Sequence, residues 1–328
     1  MTSILDRKLL VITGKGGVGK STIAAAIGLL AARRGRRAIV VELGDQGRLP
    51  GMFGLTDPGA GVETQLQEHL WSTSLDPDRA LLEWLQTIGG RVSGRVLASS
   101  NTFQYFAAAA PGAKELVSMV KIWELTQGER WQRRADGYDL VVLDAPASGH
   151  ALGMLRSPYT FGAIARVGPI AGHSEQISGL LEDPARTSYL AVALGTEMAV
   201  TEVLELQDGL REQLGRGLSA VIVNGLLPQR FTAAELRRIA PLSENGQPSA
   251  GAGRADGNSH AARSSDAAVR RAAAMAARTV HDRARFQHNQ VARLRRQSFE
   301  VVGVPFVWGA RLDLPAVQRV ADQLARKL

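Results

Sequence analysis

The chain has 328 residues, 45% hydrophobic and 21% charged, with a formal net charge of +8 and no cysteine. That composition suits a large α/β domain and lies far from disordered sequence. It excludes a disulfide framework and any thiolate site for zinc or a soft metalloid.

No uncharged apolar run approaches the roughly 18 residues of a membrane-spanning helix. Asp6, Arg7 and Lys8 lead straight into an apolar run, so no signal peptide is expected and the cytoplasm is the expected location. The positive charge is uneven. Between Arg254 and Arg296, ten arginines face three aspartates, which accounts for seven of the eight net charges.

Leu9-Leu10-Val11-Ile12-Thr13 reads as a buried strand entering a glycine-rich loop, and Ser21 to Arg34 as an alanine-rich helix stopped at Gly35. Ala38 to Glu42, Leu140 to Asp144, Tyr189 to Leu194, Ala220 to Asn224 and Val301 to Val304 are further short apolar strands. Strands of this kind separated by helices predict an α/β fold with a mostly parallel sheet covered on both faces. Residues 61–134 read as a mainly helical insertion between the second and third strands, and Glu197 to Leu214 as a helix. Residues 243–266, rich in Ser, Gly, Ala and Asn, read as a flexible low-complexity insertion. An Arg/Ala helix over Ala267 to Gln297 follows. With one glycine-rich loop and no internal repeat, residues 1–328 are expected to be a single α/β domain.

Gly14, Gly19, Lys20 and Ser21 satisfy the phosphate-loop pattern G-x-x-x-x-G-K-[ST]. Such a loop aims the N–H groups of Gly16, Gly17, Val18, Gly19, Lys20, Ser21 and Thr22 at phosphate oxygens, at a helix start that favours anions. Lys20 is expected on the β- and γ-phosphates of ATP, and the Ser21 hydroxyl on Mg²⁺. Asp144 ends an apolar strand, where a Mg²⁺-linked carboxylate belongs. Ala145 to His150 follow it as a segment placed to sense the γ-phosphate. Lys15 is a second lysine that ordinary phosphate loops lack.

Lys15 to Thr22 together with Asp144-Ala145-Pro146-Ala147-Ser148-Gly149-His150 resemble the arsenite-pump and tail-anchored-protein-targeting ATPases, a group within the deviant P-loop class. Ser74 to Trp84 resemble that family's Ile-Asp-Pro segment, and Ala110 to Leu116 its Pro-Gly-x-x-Glu helix start. Gly195-Thr196-Glu197 and Val223-Asn224 match a glutamate and an asparagine that contact nucleotide in relatives. Asn224 is similar to the adenine-reading residue. The likeness covers the chain except residues 243–266 and is greatest to actinobacterial ArsA-like ATPases that occur as paired paralogues. It implies a homodimer, or a heterodimer with a paralogue, closing around two ATP molecules. Lys15 would reach across to the partner's phosphates like an arginine finger. A membrane protein or hydrophobic polypeptide is the kind of client it implies.

Two departures bear on activity. Where the family places an aspartate that positions the attacking water, this chain has Glu42-Leu43-Gly44-Asp45-Gln46. Gly44 aligns with that aspartate, so Asp45, or else Glu42, is the candidate replacement, and a subunit that binds ATP but hydrolyses it weakly is the alternative. The family's metalloid and zinc sites use cysteines, which are absent here. Nucleic acid is not an expected partner, although Arg270, Arg271, Arg293, Arg295 and Arg296 would serve a partition-type ATPase on DNA. Phe103, Tyr105, Phe106, Leu116, Val117 and Met119 are read as core in preference to a client groove.

Overall fold

A computed structural model describes residues 3–44, 47–98, 111–131, 136–165, 167–244, 257–309 and 311–328. Among them, eight strands form one sheet: β1 (Leu9–Thr13), β2 (Ala38–Leu43), β3 (Thr64–Gln67), β4 (Leu70–Leu75), β5 (Leu140–Asp144), β6 (Thr187–Leu194), β7 (Ala220–Leu226) and β8 (Glu300–Pro305). Their order is β3-β4-β2-β5-β1-β6-β7-β8, and every pairing is parallel except β3 with β4.

The apolar runs follow from burial on both faces. All five residues of β1 are buried. Leu9 and Val11 join one core cluster, while Leu10 and Ile12 join the other, as a two-residue side-chain period requires. Helices α1 (Lys20–Arg33) and α10 (Leu314–Ala325) cover the Leu10 face. The Leu9 face is covered by α3 (Pro77–Ala98), α4 (Ala113–Leu125), α5 (Ser148–Ile164), α6 (Pro169–Glu182) and α7 (Glu197–Leu214). Three further helices are α2 (Leu49–Met52), α8 (Ala233–Glu244) and α9 (Gly257–Leu294). The α/β, mostly parallel architecture is the expected one.

The stretch 61–134 differs from its mainly helical expectation, because β3 and β4 occupy its first part. They form a hairpin turning at Glu68 and His69, the latter at φ +59°. Their signal was hidden by polar residues. Ser72, Thr73 and Ser74 are buried in β4 between neighbouring strands, so the sheet rather than an apolar run makes them strand. The helices expected beyond are α3 and α4. Asp76 starts α3 by accepting the backbone N–H of Asp78 at 2.7 Å. Leu116, Val117 and Met119 are core, whereas Phe103, Tyr105 and Phe106 lie outside the described residues. Of the low-complexity stretch 243–266, residues 245–256 lie outside the described residues. α9 already begins at Gly257, ten residues before its expected start.

A buried ion network ties the β3 hairpin to α4. The Arg130 side chain, 1% exposed, donates to Glu124 at 2.7 Å and to Glu63 at 2.6 Å. Tyr138 donates to Glu63 at 2.7 Å, and Lys121 pairs with Glu83 and Glu124. Every charge in it has an opposite partner, without which burial would be prohibitive.

Candidate functional site

Strand order changes direction at β1: the chain runs from β1 outward to β2 beyond β5, and later returns to β6 on the other side. In open parallel sheets the crevice beyond the strand ends at such a switch is where ligands bind. Gly14 to Gly19 occupy that position, between β1 and α1.

The loop's glycines are required by its geometry. Gly14 has φ +142°, and a Cβ there would sit 2.1 Å from the Val192 carbonyl oxygen of β6. Gly19 caps α1 at φ +95°, and a Cβ there would meet the Asn224 amide nitrogen at 2.4 Å. Lys20 opens α1 and donates from Nζ to the carbonyls of Gly14 and Lys15, both at 3.1 Å, so its ammonium lies within the curl of the loop. Burial lowers its pKa, against the opposing pull of Asp144 and Glu202.

Ser21, one residue along α1, donates to Asp144 Oδ2 at 2.5 Å. β1 and β5 are adjacent and in register, Ile12 opposite Asp144, which brings a residue 123 positions away to the loop. Asp144 Oδ1 is buried without a hydrogen-bond partner. Burial raises the Asp144 pKa, and the Ser21 hydrogen bond and Lys20 charge oppose that. A hydroxyl, a carboxylate with a spare buried oxygen and an adjacent phosphate cradle make a fitting donor set for Mg²⁺, which takes few protein ligands and completes its shell with phosphate and water. Among the described residues no group of three or more His, Asp or Glu side chains could hold a metal by itself. Thr13 Oγ1 donates to the Pro146 carbonyl at 2.8 Å and fastens the segment after Asp144 to β1. His150, in that segment, is exposed.

Asn224, in β7, reaches the loop from the other side and donates from Nδ2 to the Val18 carbonyl at 2.9 Å. A carbonyl can only accept, which orients the amide and leaves its oxygen for another donor. A cavity of about 710 Å³ contains Gly17, Val18, Gly19, Thr22, Gly195 and Asn224 in its lining. Gly16 sits at the exposed crest of the loop. Glu197 is exposed on the first turn of α7 and does not line that cavity, although its neighbours Gly195 and Thr196 do.

Lys15 points away from the loop interior. Its ammonium contacts Met198 and lies 3.8 Å from Glu202 of α7, and its side chain is 41% exposed. Glu42 accepts the backbone N–H groups of Arg48 and Leu49 at 3.0–3.1 Å and is thereby engaged in holding the start of α2. Burial raises its pKa, and those backbone bonds oppose the rise. Asp45 lies outside the described residues. Glu202, Gln287, Phe286 and Phe306 had no sequence signal of their own. Their helical or strand-end positions become informative only once the sheet order is known.

A family model described as "Anion-transporting ATPase" matches residues 7–167. The chain is similar to ATPase BagA of Mycobacterium tuberculosis, 29% identical over 238 residues that cover 71% of this chain and 69% of that protein. It is also similar to ATPase GET3C of Arabidopsis thaliana, 22% identical over 70% of this chain and 69% of that protein. The arsenical pump-driving ATPase of Escherichia coli is 25% identical over 70% of this chain, and the match spans 41% of that longer protein. Among the described residues no helix is long and apolar enough to cross a membrane. The phosphate loop, the aspartate at the end of β5 and these matches place residues 7–167 in the ArsA ATPase family.

Proposed function

We propose that the protein is a Mg²⁺-dependent ATPase that works in the cytoplasm as a nucleotide-gated dimer, with itself or with a paralogue. The reading rests chiefly on one juxtaposition: Lys20 and the Ser21–Asp144 pair at the mouth of a glycine cradle. Lys20 would bind the β- and γ-phosphates, and the loop N–H groups from Gly16 to Thr22 would hold the phosphate chain. Ser21 and Asp144 would hold Mg²⁺, which would offset the negative charge of the phosphates. Asn224 presents its free amide oxygen to a donor such as the exocyclic amine of adenine; guanine offers an oxygen there and would be repelled. Glu197, exposed beside the cavity, would contact the nucleoside. Lys15 acts on the partner subunit's nucleotide, where it stabilises charge developing in phosphoryl transfer. Closure and reopening would be passed to a client, a membrane protein or another hydrophobic polypeptide, through the helices covering the Leu9 face.

The measurement is Mg²⁺-dependent ATP turnover of the purified chain beside its Lys15→Ala and Lys20→Ala variants. Loss of turnover in both supports the assignment, and unchanged rates reject it.

A second reading, a subunit that binds ATP and hydrolyses it weakly beside an active paralogue, is favoured by one observation. Glu42, an alternative to Asp45 for orienting water, is committed to backbone N–H groups. Robust turnover by the chain alone, abolished by Asp45→Asn, would exclude this reading and make Asp45 the water-orienting carboxylate.

A further inference from the structure

The excess positive charge between Arg254 and Arg296 has no part in the nucleotide reading, apart from Arg283, which borders the cavity beside the phosphate loop. Among the described residues the fold gathers that charge on α9 and its C-terminal end. α9 has 38 residues, a rod of about 57 Å at 1.5 Å per residue. One side of the rod is anchored to the body of the protein. Ala274, Ala284, Val291 and Leu294 are buried, and His281 Nδ1 lies 3.0 Å from the Phe231 carbonyl ahead of α8. Gln287 accepts the Leu227 N–H at 2.8 Å and donates to the Gly225 carbonyl, just past Asn224, at 3.3 Å.

The outer side carries the charge. Arg278, Arg285 and Arg293 stand at i, i+7 and i+15, which keeps them within about 80° of arc and roughly 11 Å apart along the axis. All three are exposed, and among the described residues none has a carboxylate within ion-pair distance. Asp282 is the one acid between Arg278 and Arg293. A solvated helix face interleaves both signs, whereas here one acid stands against three arginines. Met275, 58% exposed, lies one turn before Arg278 on the same face. Phe286, 46% exposed, stands at the edge of that face, where with Phe306 it also borders the cavity beside the phosphate loop.

A row of arginines beside exposed apolar side chains fits a surface that offers phosphate in one layer and hydrocarbon beneath it, as the headgroup region of a bilayer does. A nucleic-acid duplex would meet the arginines but would set Met275 against sugar and phosphate. We infer that the outer face of α9 docks the protein on an anionic phospholipid surface. Arg278, Arg285 and Arg293 meet the headgroups, and Met275 enters the boundary with the acyl chains. The docking is peripheral and electrostatic, and it stands independently of the nucleotide reading.

Flotation of the full chain with phosphatidylcholine vesicles, and with vesicles mixing phosphatidylcholine and phosphatidylserine, measures the docking. Binding is expected only where phosphatidylserine is present, and it should weaken as salt is raised. Each arginine near such a surface contributes about fivefold in affinity, so the triple variant Arg278→Gln, Arg285→Gln, Arg293→Gln should bind about 100-fold more weakly. The corresponding triple lysine variant keeps the charge and should bind as the native chain does. Met275→Gln should weaken binding and leave its salt dependence unchanged. The substituted side chains are exposed and glutamine is a good helix former, so melting temperatures should stay native. Should the triple glutamine variant unfold, Arg285→Gln alone takes its place, with an expected loss of about fivefold. Equal binding to both kinds of vesicle, binding to neither, or native binding by the glutamine variant overturns the inference. So does binding to a DNA duplex at least as tight as to the anionic vesicles, which would make the face a nucleic-acid surface.

Discussion

Lys15 Nζ lies 3.8 Å from Glu202 Oε2, and the other oxygen of Glu202 accepts a hydrogen bond from Ser148 at 2.8 Å. One carboxylate thus joins the second lysine of the phosphate loop to the segment that follows Asp144. The pair is partly open to water, 41% and 26% exposed, and is worth at most about 1 kcal/mol. A contact that weak can be exchanged for a phosphate. Lys15→Ala is expected to keep ATP affinity within about threefold while turnover falls about 100-fold or more, the range of lost transition-state donors. Equilibrium nucleotide binding and turnover on the same preparation check the split.

Asp144 predicts a trade between stability and function. Burial raises its pKa in the folded chain, so the ionised form at neutral pH works against folding. For a raised carboxyl, the favourable contribution is present at low pH and is lost as pH rises through the folded value. Asp144→Asn should therefore raise the melting temperature of the nucleotide-free protein at pH 7.5 and shrink that gain toward pH 4. The same variant should lose Mg²⁺-dependent turnover. A lower melting temperature at pH 7.5 would contradict the argument.

Gly19→Ala tests the close approach between the loop and Asn224. The substitution forces alanine into the left-handed region and drives its Cβ into the Asn224 amide. Each strained residue of this kind costs of order 1–3 kcal/mol. Urea denaturation should show that loss, with ATP binding reduced further because Asn224 is displaced. Gly16→Ala meets open space and should be near neutral for stability.

The Arg130 network governs acid stability. Burial pushes the Glu63 carboxyl up, but hydrogen bonds from Arg130 and Tyr138 outweigh it and leave its pKa below the ordinary 4.5. Glu63 thus stabilises the fold fully above that ordinary value, and the contribution is lost as pH falls through the lower folded value. The difference in urea midpoint between native protein and Glu63→Gln should be greatest at pH 6 and close toward pH 3. Arg130→Ala, which removes the shared cation from buried Glu124 and from Glu63 and leaves Glu124 with Lys121, should cost about 3–5 kcal/mol.

Much of this protein was legible from local chemistry. The phosphate loop, the aspartate ending β5, and the apolar strands β1, β2, β5, β6, β7 and β8 are each written in contiguous residues. A strand buried on both faces must be apolar throughout, and a phosphate cradle must spend glycines at left-handed positions such as Gly19. The helix Glu197–Leu214 was readable for the same reason: its period and its Thr196 cap are local, the cap hydroxyl accepting the Ala199 N–H at 3.4 Å.

Strand identity for Ser72-Thr73-Ser74 was not local, because hydrogen bonding to β2 on one side and β3 on the other outweighs their polarity. Nor could sequence say that Glu42 serves α2, that Lys15 rests on Glu202, or that Gln287 fastens α9 beside Asn224. Each depends on which groups meet across the sheet's switch point. The glycine loop from Gly14 to Thr22 is readable without a fold, since its pattern needs only nine consecutive residues. The tertiary structure alone decided what surrounds it, because strand order and helix packing bring together side chains as far apart as Asn224 and Phe306.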